Sequence, residues 1–133
     1  MTALLPLLLT MALAGTGTPS MPPRPPGLTC SPSEPGAAAI PQRAFLGVWQ
    51  HPTSTARFRV CIDRGVPIVT GVDSGDGEVF RIQDARLEGN RLLFTSTMPS
   101  TAFTLQQEWR AQGPAVLDFT HEVTGQLLLA VPE

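Results

Sequence analysis

The sequence predicts an all-β domain: an antiparallel up-and-down meander of about eight short strands, curled into a small barrel or a strongly curved sheet. Three observations carry this expectation. After Ala44 the chain breaks into short runs of β-branched, aromatic and aliphatic residues at close, even spacing. The runs are separated by turn chemistry at Asp63-Arg64-Gly65, Ser74-Gly75-Asp76-Gly77, Glu88-Gly89-Asn90, Met98-Pro99-Ser100-Thr101, Gln112-Gly113-Pro114 and Thr124-Gly125. No stretch sustains a helical period. Connections this short force antiparallel neighbours, and closing the meander on itself removes exposed edges.

The expected strands are Phe45–His51, Ala56–Asp63, Pro67–Val72, Glu78–Leu87, Arg91–Thr97, Ala102–Arg110, Ala115–Val123 and Gln126–Val131. Strict alternation points Phe58, Val60, Ile62, Ile68, Phe80, Ile82, Leu92, Phe94, Phe103, Leu105, Leu117, Phe119, Leu127 and Leu129 inward. An eight-stranded barrel has an interior just wide enough for side chains or one small ligand, and strands of about seven residues give a height of roughly 23 Å. With inward residues this bulky, little room is expected for a large guest.

Ahead of the domain, residues 1–14 read as a signal peptide. Leu4 to Leu13 is an apolar run too short to span a bilayer comfortably, and Ala12-Leu13-Ala14 presents small residues for cleavage before Gly15. Met1-Thr2-Ala3 carries no Lys or Arg, so a retained anchor is the alternative. Residues 15–43 are dominated by Pro, Gly, Ser, Thr and Ala around Pro22-Pro23-Arg24-Pro25-Pro26, and read as a disordered linker with a polyproline II bias. The PxxP spacing of Pro22 and Pro25 would alternatively suit a proline-recognising groove. Residues 44–133 are the folding domain. Secretion or a periplasmic location is expected, with no stable membrane span after signal cleavage.

The two cysteines fit that compartment. Alternation puts Cys61 beside Arg57 and Arg59 on the outer face of its strand, so a Cys30–Cys61 disulfide would pin the proline-rich segment against the outside of the sheet. Two free thiols, or a lipidated Cys30, are the other possibilities. The 133 residues leave room for one domain, and a net charge of −2 provides no field for nucleic acid or an anionic membrane. All nine basic residues are arginine, and no collective role is assigned to them.

Gly47-Val48-Trp49, at the start of the first expected strand and ahead of an antiparallel meander, resembles the Gly-x-Trp of the lipocalins and their short bacterial relatives, a calycin-type family. The resemblance implies that Trp49 closes the barrel base with Gly47 allowing close packing beneath it. The carry-over covers Gly47 and Trp49 alone; the binding expectation built beside it is a small apolar ligand held at a mouth bordered by Trp49, Phe103, Trp109 and His121. The chain departs from the family in having no Tyr for the Asp-Tyr element, and no arginine between Gln126 and Val131 to pack over the tryptophan. The competing expectation is that Trp49 is a plain core residue in a filled sheet. The chain would then be an envelope or extracellular module that meets a protein partner through arginine and carboxylate pairs.

No catalytic residue, metal site or cofactor is expected. Val72 to Glu78 holds three carboxylates, but a calcium loop needs acidic residues at alternate positions and a distant Glu. His51, His121 and Cys61 are too scattered for zinc. His121 shares the face of Leu117, Phe119 and Val123, where Glu108 or Gln106 would satisfy it. Ser100 lies in a turn without a Gly-x-Ser-x-Gly elbow, and Glu108 with Asp118 would need a cleft to act as an acid and base pair. The expected protein is not an enzyme.

Overall fold

The computed structural model describes residues 20–34, 40–113, 116–120 and 124–129, so the expected signal peptide lies outside the described residues. A single helical turn, α1 (Ile40–Arg43), precedes the strands β1 (Gly47–Gln50), β2 (Ala56–Asp63), β3 (Val66–Asp73), β4 (Arg81–Glu88), β5 (Arg91–Met98), β6 (Phe103–Gly113), β7 (Val116–Thr120) and β8 (Thr124–Leu129). The domain is all-β and antiparallel, as the sequence predicts. Two three-stranded units, β3-β2-β1 and β6-β5-β4, are joined through β8 and β7 in the order β3-β2-β1-β8-β7-β6-β5-β4.

The sheet curves strongly but is not a closed barrel. Its two end strands, β3 and β4, form no ladder; beside them an isolated bridge joins Val72 of β3 to Val79 just ahead of β4, flanked by the Phe80 N–H bond to the Gly71 carbonyl (2.9 Å) and the Asp73 N–H bond to the Glu78 carbonyl (2.8 Å). Pro67 helps to explain why no ladder forms. Its partner Ile62 gives its N–H to the Thr29 carbonyl at 2.8 Å, away from β3, so the Ile62–Pro67 pair exchanges no hydrogen bonds. The missing proline N–H therefore falls on the edge that faces β4, where it removes a rung. On the other side, β4 is bulged between Gln83 and Arg86, with Asp84 at φ 57°. The extra residue bends the strand and changes its inward set from Ile82 to Ala85 and Leu87, all three of which pack on the core.

The core comprises Phe45, Trp49, Phe58, Val60, Val69, Leu92, Phe94 and Trp109. Phe58, Phe94 and Trp109 meet at its centre with ring centroids 5.1 to 5.6 Å apart, and Trp109 stands edge-on to both phenylalanines. Such pairs contribute about 0.5–1.5 kcal/mol beyond the area they bury. Two expected inward positions are corrected. Val69 faces the core rather than Ile68, because the register sets Val60 against Val69 and leaves Ile68 beside Cys61 on the outer face. Val66 to Val72 is apolar in both phases, so alternation alone could not choose between them. Phe103 is 50% exposed, because β6 begins at the rim. The expected inward positions Leu117, Phe119, Leu127 and Leu129 fall outside the described side chains.

Both faces of β2 are covered. Its inner face meets the core, and its outer face lies beneath residues 20–34, part of the segment expected to be a disordered linker. That strap is tied down along its length. Arg59 donates to the Pro22 carbonyl at 3.1 Å, Thr70 donates to the Pro23 carbonyl at 3.0 Å, and Thr29 bridges Ile62. Cys30 and Cys61 form the disulfide, with an S–S distance of 2.02 Å. Prolines suit this role, since an extended segment lying flat on a sheet's outer face needs carbonyl acceptors more than N–H donors. Arg59, on the outer face as expected, is in consequence only 5% exposed.

Candidate functional site

The alternating strand directions collect the β1–β2, β3–β4 and β5–β6 connections at one end of the curved sheet, opposite α1. Between them lies a cavity of about 270 Å³. Phe58 of β2 and Phe80 ahead of β4 form one wall; Met98 of β5 with Phe103 and Leu105 of β6 form the other; His51 and Ser54 edge it from the β1–β2 connection. Phe58 and Phe80 meet at 5.6 Å. Gly71 makes that contact possible: a Cβ there would come within 2.7 Å of the Phe58 ring and 3.0 Å of the Phe80 ring.

Besides His51, Ser54 and Thr97, two buried polar side chains interrupt this apolar lining. Ser96 and Gln107, each 7% exposed, occupy inward positions of β5 and β6. The Gln107 amide donates to the Ser96 hydroxyl at 2.8 Å, and the Trp109 indole N–H donates to Gln107 Oε1 at 2.9 Å. An indole can only donate, so this contact fixes the amide with its oxygen toward Trp109 and its NH₂ toward Ser96 and the cavity.

The rim on the β4–β5 side is braced by Glu78. Its carboxylate accepts from the Ser100 N–H (2.7 Å) and the Ser100 hydroxyl (2.9 Å), fastening the β3–β4 connection to the β5–β6 turn. Ser100 is thus a strut. Asp73 accepts from the Thr55 hydroxyl at 2.6 Å and the Gly75 N–H at 2.8 Å, and these bonds, the hydroxyl first, hold its carboxyl below the usual range. Asp76 accepts from the Glu78 N–H at 2.9 Å. The three carboxylates of this connection all serve its hydrogen bonding, and among the described residues no group of His, Cys, Asp and Glu is placed to hold a metal ion.

Of the three described residues among the four expected to border a ligand, Phe103 lines the cavity. Trp49 and Trp109 are core residues, 2% and 0% exposed, and neither reaches it. Trp49 is held toward the opposite end, its indole N–H donating to the Phe45 carbonyl at 2.8 Å. Gly47, two residues earlier, has φ 124°, a backbone conformation that favours glycine. His121 lies outside the described residues. Sequence reasoning missed Ser96 and Gln107. Their signal was a polar residue on the same phase as a buried aromatic, Phe94 and Trp109 respectively.

On the outer face of β4, β5 and β6, charges form a continuous row. Arg86 pairs with Glu88 at 2.7 Å, Arg91 joins Glu88 (3.5 Å) to Glu108 (2.6 Å), and Arg110 reaches Glu108 at 3.2 Å. Glu108 is thereby held between two guanidinium groups, and Arg110 rather than Glu108 is the Cα partner of Asp118. The Arg86 hydrogen bond holds the Glu88 carboxyl below its ordinary range.

No protein-family model matches the chain, and neither a curated protein nor a solved structure matches it.

Proposed function

We propose that this chain is an exported, non-catalytic container for one small, mostly apolar molecule, with residues 1–14 acting as its signal peptide. The observation that carries the reading is the cavity of about 270 Å³ at the open end of the sheet, walled by Phe58, Phe80, Met98, Phe103 and Leu105. A dry apolar cavity of about 150 Å³ already accepts a guest the size of benzene. Small-molecule sites are typically apolar clefts with a few placed polar groups. The Cys30–Cys61 disulfide fits an extracytoplasmic protein. Among the described residues no helix is long and apolar enough to cross a membrane. The reading keeps the lipocalin-like resemblance of Gly47 and Trp49 as a proposal, with Phe58 and Phe80 joining the expected Phe103 at the ligand end.

A native mass spectrum of the protein exported by its own host tests the reading. The expected species begins at Gly15, is two hydrogens lighter than the reduced chain and carries a small non-covalent adduct. A full-length, reduced chain would overturn export, and a bare chain would count against the container. The charged row of Arg86, Glu88, Arg91, Glu108 and Arg110 supports a second reading, an extracellular module that meets a protein partner. A guest-free chain recovered with a bound protein would favour it.

A further inference from the structure

We infer that the cavity selects a small neutral carbonyl compound, such as a cyclic ketone, whose oxygen meets Ser96 and Gln107 while its hydrocarbon body lies against Phe58, Phe80 and Phe103. The inference rests on the container reading and names the chemistry of its guest.

Three observations lead to it. First, the polar spot offers hydrogens. Trp109 takes up Gln107 Oε1, and the amide spends one hydrogen on Ser96 Oγ. The second amide hydrogen and the serine hydroxyl hydrogen remain for a further acceptor, so a group rich in lone pairs is matched. Second, the polar spot is shielded. Ser96 and Gln107 are more than nine-tenths buried among aromatic and aliphatic side chains, where a hydrogen bond to a guest is stronger than in water. Third, among the described residues the lining carries no Arg, Lys, Asp or Glu. The titratable side chain among them is His51, whose Nδ1 accepts the Thr53 N–H at 3.3 Å. A carboxylate guest would lose its hydration without gaining a fixed cation, so a neutral acceptor is favoured over an anionic one. The volume suits a single ring or a short chain.

The two indole N–H groups make the test specific. Trp109 is bonded to Gln107 and reports on the polar spot, whereas Trp49 is bonded to the Phe45 carbonyl and serves as the internal control. The full chain, labelled with ¹⁵N, is titrated with cyclohexanone and with methylenecyclohexane, which differ in replacing C=O by C=CH₂. The expected result is that both guests bind, cyclohexanone no more weakly than the hydrocarbon, and that the ketone moves the Trp109 indole resonance but not that of Trp49. Ser96→Ala and Gln107→Leu should each weaken cyclohexanone about tenfold, one lost hydrogen bond at a buried spot, and change methylenecyclohexane less than about twofold. Ser96→Ala removes only a hydroxyl, so it keeps the comparison open if Gln107→Leu fails to fold. If the hydrocarbon binds and the ketone does not, or if the variants leave the ketone unchanged, the carbonyl inference is wrong and the container stands. If neither guest binds, the container reading falls and the inference falls with it.

Discussion

Trp109→Ala is expected to remove about 3–5 kcal/mol of unfolding free energy, the range for deleting a large aromatic side chain from a packed core. Trp109 is fully buried, contacts Phe58 and Phe94 edge-on, and is the partner of Leu92 across the β5–β6 ladder. The truncation leaves a void between the two three-stranded units. It also strips Gln107 Oε1 of its donor, adding an unsatisfied buried acceptor. Trp109→Phe separates the two effects: it retains most of the packing and should cost about 1–3 kcal/mol, chiefly for the orphaned amide oxygen. Urea unfolding of both variants measures the difference. A loss below about 1 kcal/mol for Trp109→Ala would mean that the two units are not held together through this ring.

The second large effect is expected at the disulfide. Cys30 and Cys61 are 31 residues apart, and opening a loop of that length should destabilise the chain by about 3–4 kcal/mol. The double variant Cys30→Ser, Cys61→Ser avoids stray thiol chemistry. Without the bridge, the shape in which the strap docks rests in part on Glu34, whose carboxylate accepts from Arg24 at 2.6 Å and from the Cys30 N–H at 3.1 Å, all within the strap. The Arg24 hydrogen bond, foremost, holds the Glu34 carboxyl below its ordinary 4.5. A carboxyl lowered in the folded state contributes stability that is present above the unfolded value and is lost as pH falls through the folded value. In the double variant the strap should therefore loosen on acidification below about 4.5, and stay in place as pH rises from neutral. Amide exchange at Ile62, which donates to Thr29, reads this out directly. Release of the strap on the alkaline side would contradict the role given to Glu34.

Much of the fold is legible in the chain because its turns are chemically explicit. Asp63-Arg64-Gly65 and Glu88-Gly89-Asn90 delivered tight connections, with Gly65 at φ 83° and Gly89 at φ 61°. Alternation placed Phe58, Val60, Leu92 and Phe94 correctly, since each strand in question is apolar in one phase only. It failed on β3, where Ile68 and Val69 compete, and on β4, where the Asp84 bulge resets the phase. The strap was legible in part: the Cys30–Cys61 bridge pins it to the outer face of β2 as expected, but its ordered path was not foreseen. Composition describes what a proline-rich segment cannot do by itself, whereas its docking depends on Arg59, Thr70 and Cys61, far along the sequence. The candidate site was half legible. Phe103 was expected there, but the two tryptophans drew the reading away from it, because a large aromatic on an inward phase suits a core as well as a ligand. Ser96 and Gln107 gain their meaning only when β5 and β6 are paired and Trp109 fixes the amide.

The central claim is that the end of the sheet beside Phe103 holds an accessible, guest-sized space, and xenon addresses it without presuming any particular ligand, since it enters dry apolar cavities. Methyl resonances would be followed during a xenon titration of the full chain. Those of Met98 and Leu105, in the cavity wall, should shift and saturate, while those of Val60 and Leu92, fully buried away from it, should stay in place. Shifts that never saturate, or that spread equally over all four residues, would contradict the account and leave a side-chain-filled sheet with only its outer surface to work with.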